Sequence, residues 1–312
     1  MSAASRATWQ IHFCVILWGF TAILGKLISL GTLALVWWRM VLVSGALLLM
    51  PRVWRGVRAL PSRMILIYAG IGLIVSLHWL AFYGSIRLAN ASVAVTCLAL
   101  APVFLAFVEP LMVGRRFDVR EVMFGVAAIP GVALVVGGTP EGMRAGVIVG
   151  VLGALLVAVF SSLNKRFIGH TGALSVTALE IGAGMVLMTV ISLLLAPDAV
   201  FVLPSVRDLT LLLVLAMGCT LLPFALSLAA LRHVSAFTAT IALNMEPIYA
   251  ILLAIVLLGE QRELGAGFYL GVAIVLAAVF LHSWLVARGR GAAPVSDVAG
   301  AGRPGLDRSD ST

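Results

Sequence analysis

Charged residues are scarce, making up 11% of the 312-residue chain, against about 25% in an ordinary soluble domain. That scarcity excludes a water-exposed globule, since the mean hydropathy of +1.13 leaves far more apolar surface than one soluble core can hide. Cysteine is nearly absent. Cys14, Cys97 and Cys219 lie in three different apolar runs with no metal-ligand spacing, so they read as small buried hydrophobes and no metal site is expected. The chain contains no His-Glu-x-x-His, no cluster of histidines and no Gly-x-Ser-x-Gly, so the usual metallohydrolase and serine-hydrolase sets are missing. No connection between apolar runs exceeds roughly a dozen residues, which leaves little room for an extramembrane catalytic domain. We therefore expect no enzyme, no catalytic residue and no cofactor.

Long apolar runs fill the space those absences leave. Val147 to Phe160 and Ile248 to Leu258 are continuous stretches of Leu, Val, Ile, Ala and Gly with scarcely a polar residue. A run of about 20 such residues crosses a hydrocarbon core as a helix, whereas a membrane barrel would alternate apolar with polar. Breaks at glycine, proline and charge predict ten transmembrane helices: 9–29, 33–50, 65–88, 91–112, 121–137, 144–164, 173–195, 208–230, 235–258 and 265–287. The fold class is thus all-α integral membrane. The first run is longer than the apolar core of a signal peptide and carries Trp18 and Lys26, so it is read as a retained helix. The tail from Arg288 to Thr312, rich in Gly, Ala, Ser and Asp, reads as disordered.

The net charge of +8 lies mostly in short segments. With a cytoplasmic N-terminus, Arg52, Arg55, Arg58, Arg115, Arg116, Lys165, Arg166 and Arg232 fall inside, while only Arg87, Arg144, Arg207 and Arg262 fall outside. Both termini are therefore expected in the cytoplasm of a cell whose inner membrane holds the protein. No aromatic and basic interleaving of the nucleic-acid type occurs, so the expected partners are the lipid bilayer and a small-molecule solute. Oligomeric state is left open.

An internal repeat organises the chain. A shift of 145 places aligns Arg87, Ala91, Ala94, Leu98, Pro102 and Gly114 with Arg232, Ala236, Ala239, Leu243, Pro247 and Gly259. Each unit, residues 1–140 and 141–287, then holds five helices. An odd number forces the second unit to insert upside down relative to the first, which places a solute site at the seam near the midplane.

These residues resemble the EamA-type members of the drug/metabolite transporter superfamily over nearly the whole chain. The likeness rests on Leu17-Trp18-Gly19 with Lys26, on Arg39, on the stretch from Tyr83 to Pro102, and above all on Glu246-Pro247-Ile248-Tyr249-Ala250 followed by Leu258-Gly259-Glu260. The family repeats Gly-Glu in its first half, where this chain has Gly114-Arg115. The resemblance implies export or exchange of amino acids and other metabolites; same-fold carriers of lipid-linked or sugar-type solutes are the alternative it leaves.

Polar residues at membrane depth are the candidate solute contacts. Lys26 and Arg39 either snorkel to the interface or face a cavity and meet a carboxylate. Glu246, beside Asn244 and expected near the middle of its helix, is placed to hold an amine or a proton, or else is a structural residue, protonated or bonded to Asn244. Glu180 either pairs across the seam or reaches water, and Glu109 reads as structural. His78, Trp79, Phe82 and Tyr83 share one broad helix face and, with Trp18, Trp37 and Trp38, make a possible aromatic wall; ordinary packing and interface anchoring are the competing readings. Pro102 and Pro247 are read as helix breaks or hinges.

Overall fold

The computed structural model describes residues 3–167, 170–230, 242 and 244–290. Every regular element among them is helical. The helices are α1 (Ala3–Leu27), α2 (Thr32–Leu48), α3 (Pro51–Arg58), α4 (Ser62–Leu88), α5 (Ala91–Leu98), α6 (Ala101–Val113) and α7 (Val119–Gly138) in the first part of the chain. The second part has α8 (Arg144–Arg166), α9 (Ala173–Leu195), α10 (Pro197–Val200), α11 (Val206–Leu213), a π-helical stretch (Val214–Leu221), α12 (Leu222–Ala230), α13 (Glu246–Leu258) and α14 (Ala266–Arg290). Short 3-10 turns at Glu141–Met143 and Glu260–Arg262 complete it.

Seven of these spans are long and apolar enough to cross a membrane, or eight if α2 and α3, bent by 87° at their junction, count as one. Leu66, Ile148 and Val256 are more than 70% exposed on the outer surface. Apolar side chains at such exposure suit a lipid solvent and not water. Several hydroxyls inside the helices bond to their own helix, as when Ser192 Oγ donates to Met188 O at 2.6 Å and Ser162 Oγ to Ala158 O at 2.7 Å.

Several boundaries differ from those read in sequence. Pro51–Arg58, by composition an arginine-rich connection, is the amphipathic helix α3, with Val53 buried and Trp54 exposed, a pattern that suits a bilayer surface. The expected helix 91–112 breaks at Ala99 and Leu100, so Pro102 stands in the first turn of α6, where its missing N–H costs nothing. Pro247 stands likewise in the first turn of α13, and Glu246 with it, not at mid-helix. Helix α14 runs to Arg290, three residues into the expected tail. Arg232, Ala236, Ala239, Leu243, the first part of the expected helix 235–258 and the tail beyond Arg290 lie outside the described residues.

Hydrogen bonds sort the connections into two ends. At one end Arg87 donates to the Ile28 and Leu30 carbonyls. There too Asp208 accepts from Ser29 N and Oγ at 2.9 and 2.5 Å, Trp38 Nε1 donates to Val200 O, and Asn90 donates to Glu263. At the other end Tyr68 Oη donates to Phe167 O at 2.7 Å, Thr171 to Gly56 O, and Lys165 to Glu109 at 2.6 Å.

Small residues let helices from the two parts approach closely. Gly72 of α4 lies against the backbone of Glu180, and Gly184 of α9 faces Ser76, Gly72 and Met40. Gly131 and Gly271 bring α7 and α14 together, and Gly19 brings α1 onto Ala250 of α13. Helices α6 and α13 both end at a left-handed glycine, Gly114 at φ 79° and Gly259 at φ 72°, a conformation that favours glycine.

The residues after those glycines differ in chemistry. Glu260, 1% exposed, accepts from Ala91 N at 2.9 Å, Ser92 N at 2.8 Å and Ser92 Oγ at 2.6 Å, so a carboxylate from the second part caps α5 in the first. Arg115 instead donates to Glu109 at 2.9 Å and to Glu121. After Gly114 an ion-pair cluster thus stands where the residue after Gly259 caps a helix.

Candidate functional site

A cavity of about 650 Å³ lies between the two parts, large enough for a small solute. Its wall is mostly apolar and aromatic, with Trp18, Trp79, Phe160 and Phe224 drawn from α1, α4, α8 and α12. Polar groups entering it include Arg39, His78, Asn164, Glu180, Thr220, Asn244 and Glu246.

Arg39 is the most tightly defined. The side chain is 5% exposed, and its guanidinium carbon sits 3.7 Å from the centre of the Trp79 ring. Nη1 donates to Tyr83 Oη at 2.7 Å, while Nη2 and Nε donate to Thr220 Oγ1 at 2.8 and 3.2 Å. Thr220 is free to accept because its own proton goes to Leu215 O at 2.8 Å, five residues back. That i−5 bond belongs to the π-helical stretch, whose wider turn aims the hydroxyl at the guanidinium. Of five N–H donors, three are used, so one on each terminal nitrogen remains. Arg39 forms no ion pair among the described residues.

His78 has its Nδ1 at 2.9 Å from Gly153 O. A carbonyl can only accept, so Nδ1 carries the hydrogen there. Its ring lies among Phe82 and Phe160 and helps line the cavity.

Glu180 is 8% exposed and hydrogen-bonded by the Asn164 side chain. Its Oε1 and the Oδ1 of Asn164 are buried with no partner among the described residues. Glu246 reaches the cavity from the first turn of α13, where the helix dipole favours a carboxylate.

Of the residues singled out in the sequence, Trp18, Arg39, His78, Trp79, Glu180, Asn244 and Glu246 line this cavity, as do Pro102 and Pro247. Tyr83 does not; it is 1% exposed and supports Arg39 from behind. Lys26 does not either, standing half-buried in the last turn of α1, as a snorkelling side chain would. Trp37 and Trp38 bind Thr189 Oγ1 and Val200 O and tie α2 to the second part of the chain. Sequence reasoning missed Thr220 and Asn164. For Asn164 the available signal is its polarity at the end of an apolar run.

The chain matches the EamA-like transporter family over residues 8–137 and again over 144–284. No curated protein matches it in sequence. A solved crystal structure shares the fold, with a TM-score of 0.60 at 17% identity over 91% of this chain and 98% of that one.

Proposed function

Because the chain belongs to the EamA-like transporter family, within the drug/metabolite transporter superfamily, we propose that it carries an amphipathic metabolite, foremost an amino acid, through this cavity by alternating access. Such a carrier exports or exchanges its solute across a bacterial inner membrane. Ten crossings in two inverted five-helix units, residues 1–140 and 141–287 with a disordered tail from 288, would hold the site at their seam, with both termini cytoplasmic. The two sets of end contacts support that arrangement, since α1 begins at the end opposite to the one where α8 begins.

The observation that carries the reading is Arg39, a buried guanidinium stacked on Trp79 that faces the cavity and forms no ion pair among the described residues. A charge kept at membrane depth is costly unless something pairs with it, so its expected partner arrives with the solute. The aromatic wall of Trp18, Trp79 and His78 would take the apolar part, with Asn244 and Glu246 contributing to the polar lining. Pro102 and Pro247 mark breaks where the helices can bend during the change of access. No catalysis enters this account.

Purified protein in liposomes should then show saturable counterflow of labelled aromatic amino acids. A broad amino-acid panel giving neither counterflow nor net uptake overturns the substrate class.

A further inference from the structure

Two acceptor oxygens of the cavity-lining residues have no donor among the described residues. Glu180 lies in α9 and Asn164 in α8, and their side chains are hydrogen-bonded to one another. A carboxylate offers no proton to an amide, so the Asn164 NH₂ must face Glu180 and its Oδ1 must face away. Oδ1 and Glu180 Oε1 are both buried, and neither has a partner among the described residues. Leaving a buried acceptor unmet costs free energy, and two such acceptors on adjoining side chains lining one cavity point to a missing donor.

The same cavity holds the opposite deficit. Among the described residues Arg39 keeps two unused N–H donors and has no acidic partner, and Glu180 has no basic one. A protein cation and a protein anion thus face one space without meeting.

We infer that Glu180 Oε1 and Asn164 Oδ1 form the subsite for the primary ammonium of the solute, with Arg39 taking its carboxylate. The inference rests on the amino-acid reading above and deepens it. An ammonium carries three N–H donors, which matches two acceptors plus one bond to spare. The solute satisfies both buried charges at once, which a pure amine or a pure acid cannot do. Glu246 is the rival carboxylate in the cavity, but it is only half-buried, whereas both unmet acceptors belong to the other pair.

The experiment measures binding of L-phenylalanine, phenylethylamine, 3-phenylpropionate and N-acetyl-L-phenylalanine by thermal shift and by competition against counterflow. In wild type, phenylalanine should bind best, and acetylation of the amine should weaken binding about tenfold or more. In Glu180→Gln, phenylalanine should weaken by a similar factor while the N-acetyl compound is unchanged. The N-acetyl compound serves within each variant as a check that the cavity is still folded.

If no amino acid binds wild type, the substrate reading fails and this inference with it. If phenylalanine binds wild type but Glu180→Gln leaves its affinity intact, the subsite assignment alone fails. It also fails if Glu246→Gln, and not Glu180→Gln, removes the preference for a free amine. Retention of phenylalanine affinity in Glu180→Gln with a lost pH dependence of transport would make Glu180 a proton site and overturn the assignment.

Discussion

The guanidinium of Arg39 rests on the ring of Trp79 while Tyr83 Oη, 2.7 Å from Nη1, holds it from behind. A stack and two neutral hydroxyl acceptors orient the cation without cancelling its charge, so a full positive charge stays presented to the cavity.

Lysine at this position keeps the charge but loses both the planar stack and the fork. Arg39→Lys should therefore raise the half-saturating concentration of a carboxylate-bearing solute by about tenfold, and Arg39→Ala by about a hundredfold. Uptake by proteoliposomes over a concentration series measures both.

Trp79→Leu removes the stack and leaves the hydrogen bonds in place. Loss of a cation–π contact at a buried site costs about 1–2 kcal/mol, so affinity should fall by roughly five- to thirtyfold. Trp79→Phe keeps a ring face and should recover part of that loss in the same assay.

Glu260 reaches from the loop after α13 to cap α5, and its burial at 1% exposure means no water replaces it. Glu260→Ala should lower the melting temperature in detergent by several degrees, an order consistent with about 2–3 kcal/mol for charge-assisted hydrogen bonds lost from a buried helix end. Arg115→Ala, whose side chain is 30% exposed in its cluster with Glu109 and Glu121, should change it less.

Packing of α7 on α14 offers a matched pair. A Cβ on Gly131 would come 2.9 Å from Gly271 O, whereas one on Gly137 would meet nothing within 4 Å. Gly131→Ala should destabilise by about 1–3 kcal/mol through forced separation of the helices. Gly137→Ala should be neutral or slightly stabilising, since alanine favours a helix by up to about 1 kcal/mol over glycine. Thermal unfolding followed by fluorescence distinguishes them.

The helices were legible because lipid makes the signal strong: apolar runs and their breaks follow from backbone hydrogen bonding with no water at hand. The expected helix 173–195 coincides with α9 for that reason. Helix α3 was hidden because Arg52, Arg55 and Arg58 give an interfacial helix the composition of a loop. Arg39, Trp79 and Glu180 announced themselves as polar or aromatic groups out of place. Thr220 could not, since its role depends on a π-helical turn that shifts the period. Asn164 meets Glu180 only because α8 and α9 pack beside α4, a tertiary fact that spacing along the chain does not encode.

Access to the cavity from both faces is the claim on which the account turns. Replacing the three free cysteines, Cys14, Cys97 and Cys219, by alanine and placing one cysteine at Ser161 on the cavity wall provides the probe. In oriented vesicles a membrane-impermeant thiol reagent should modify it from either side, and a bound amino acid should protect it from both. Modification from one side only, whatever solute gradient is imposed, would contradict alternating access through this cavity.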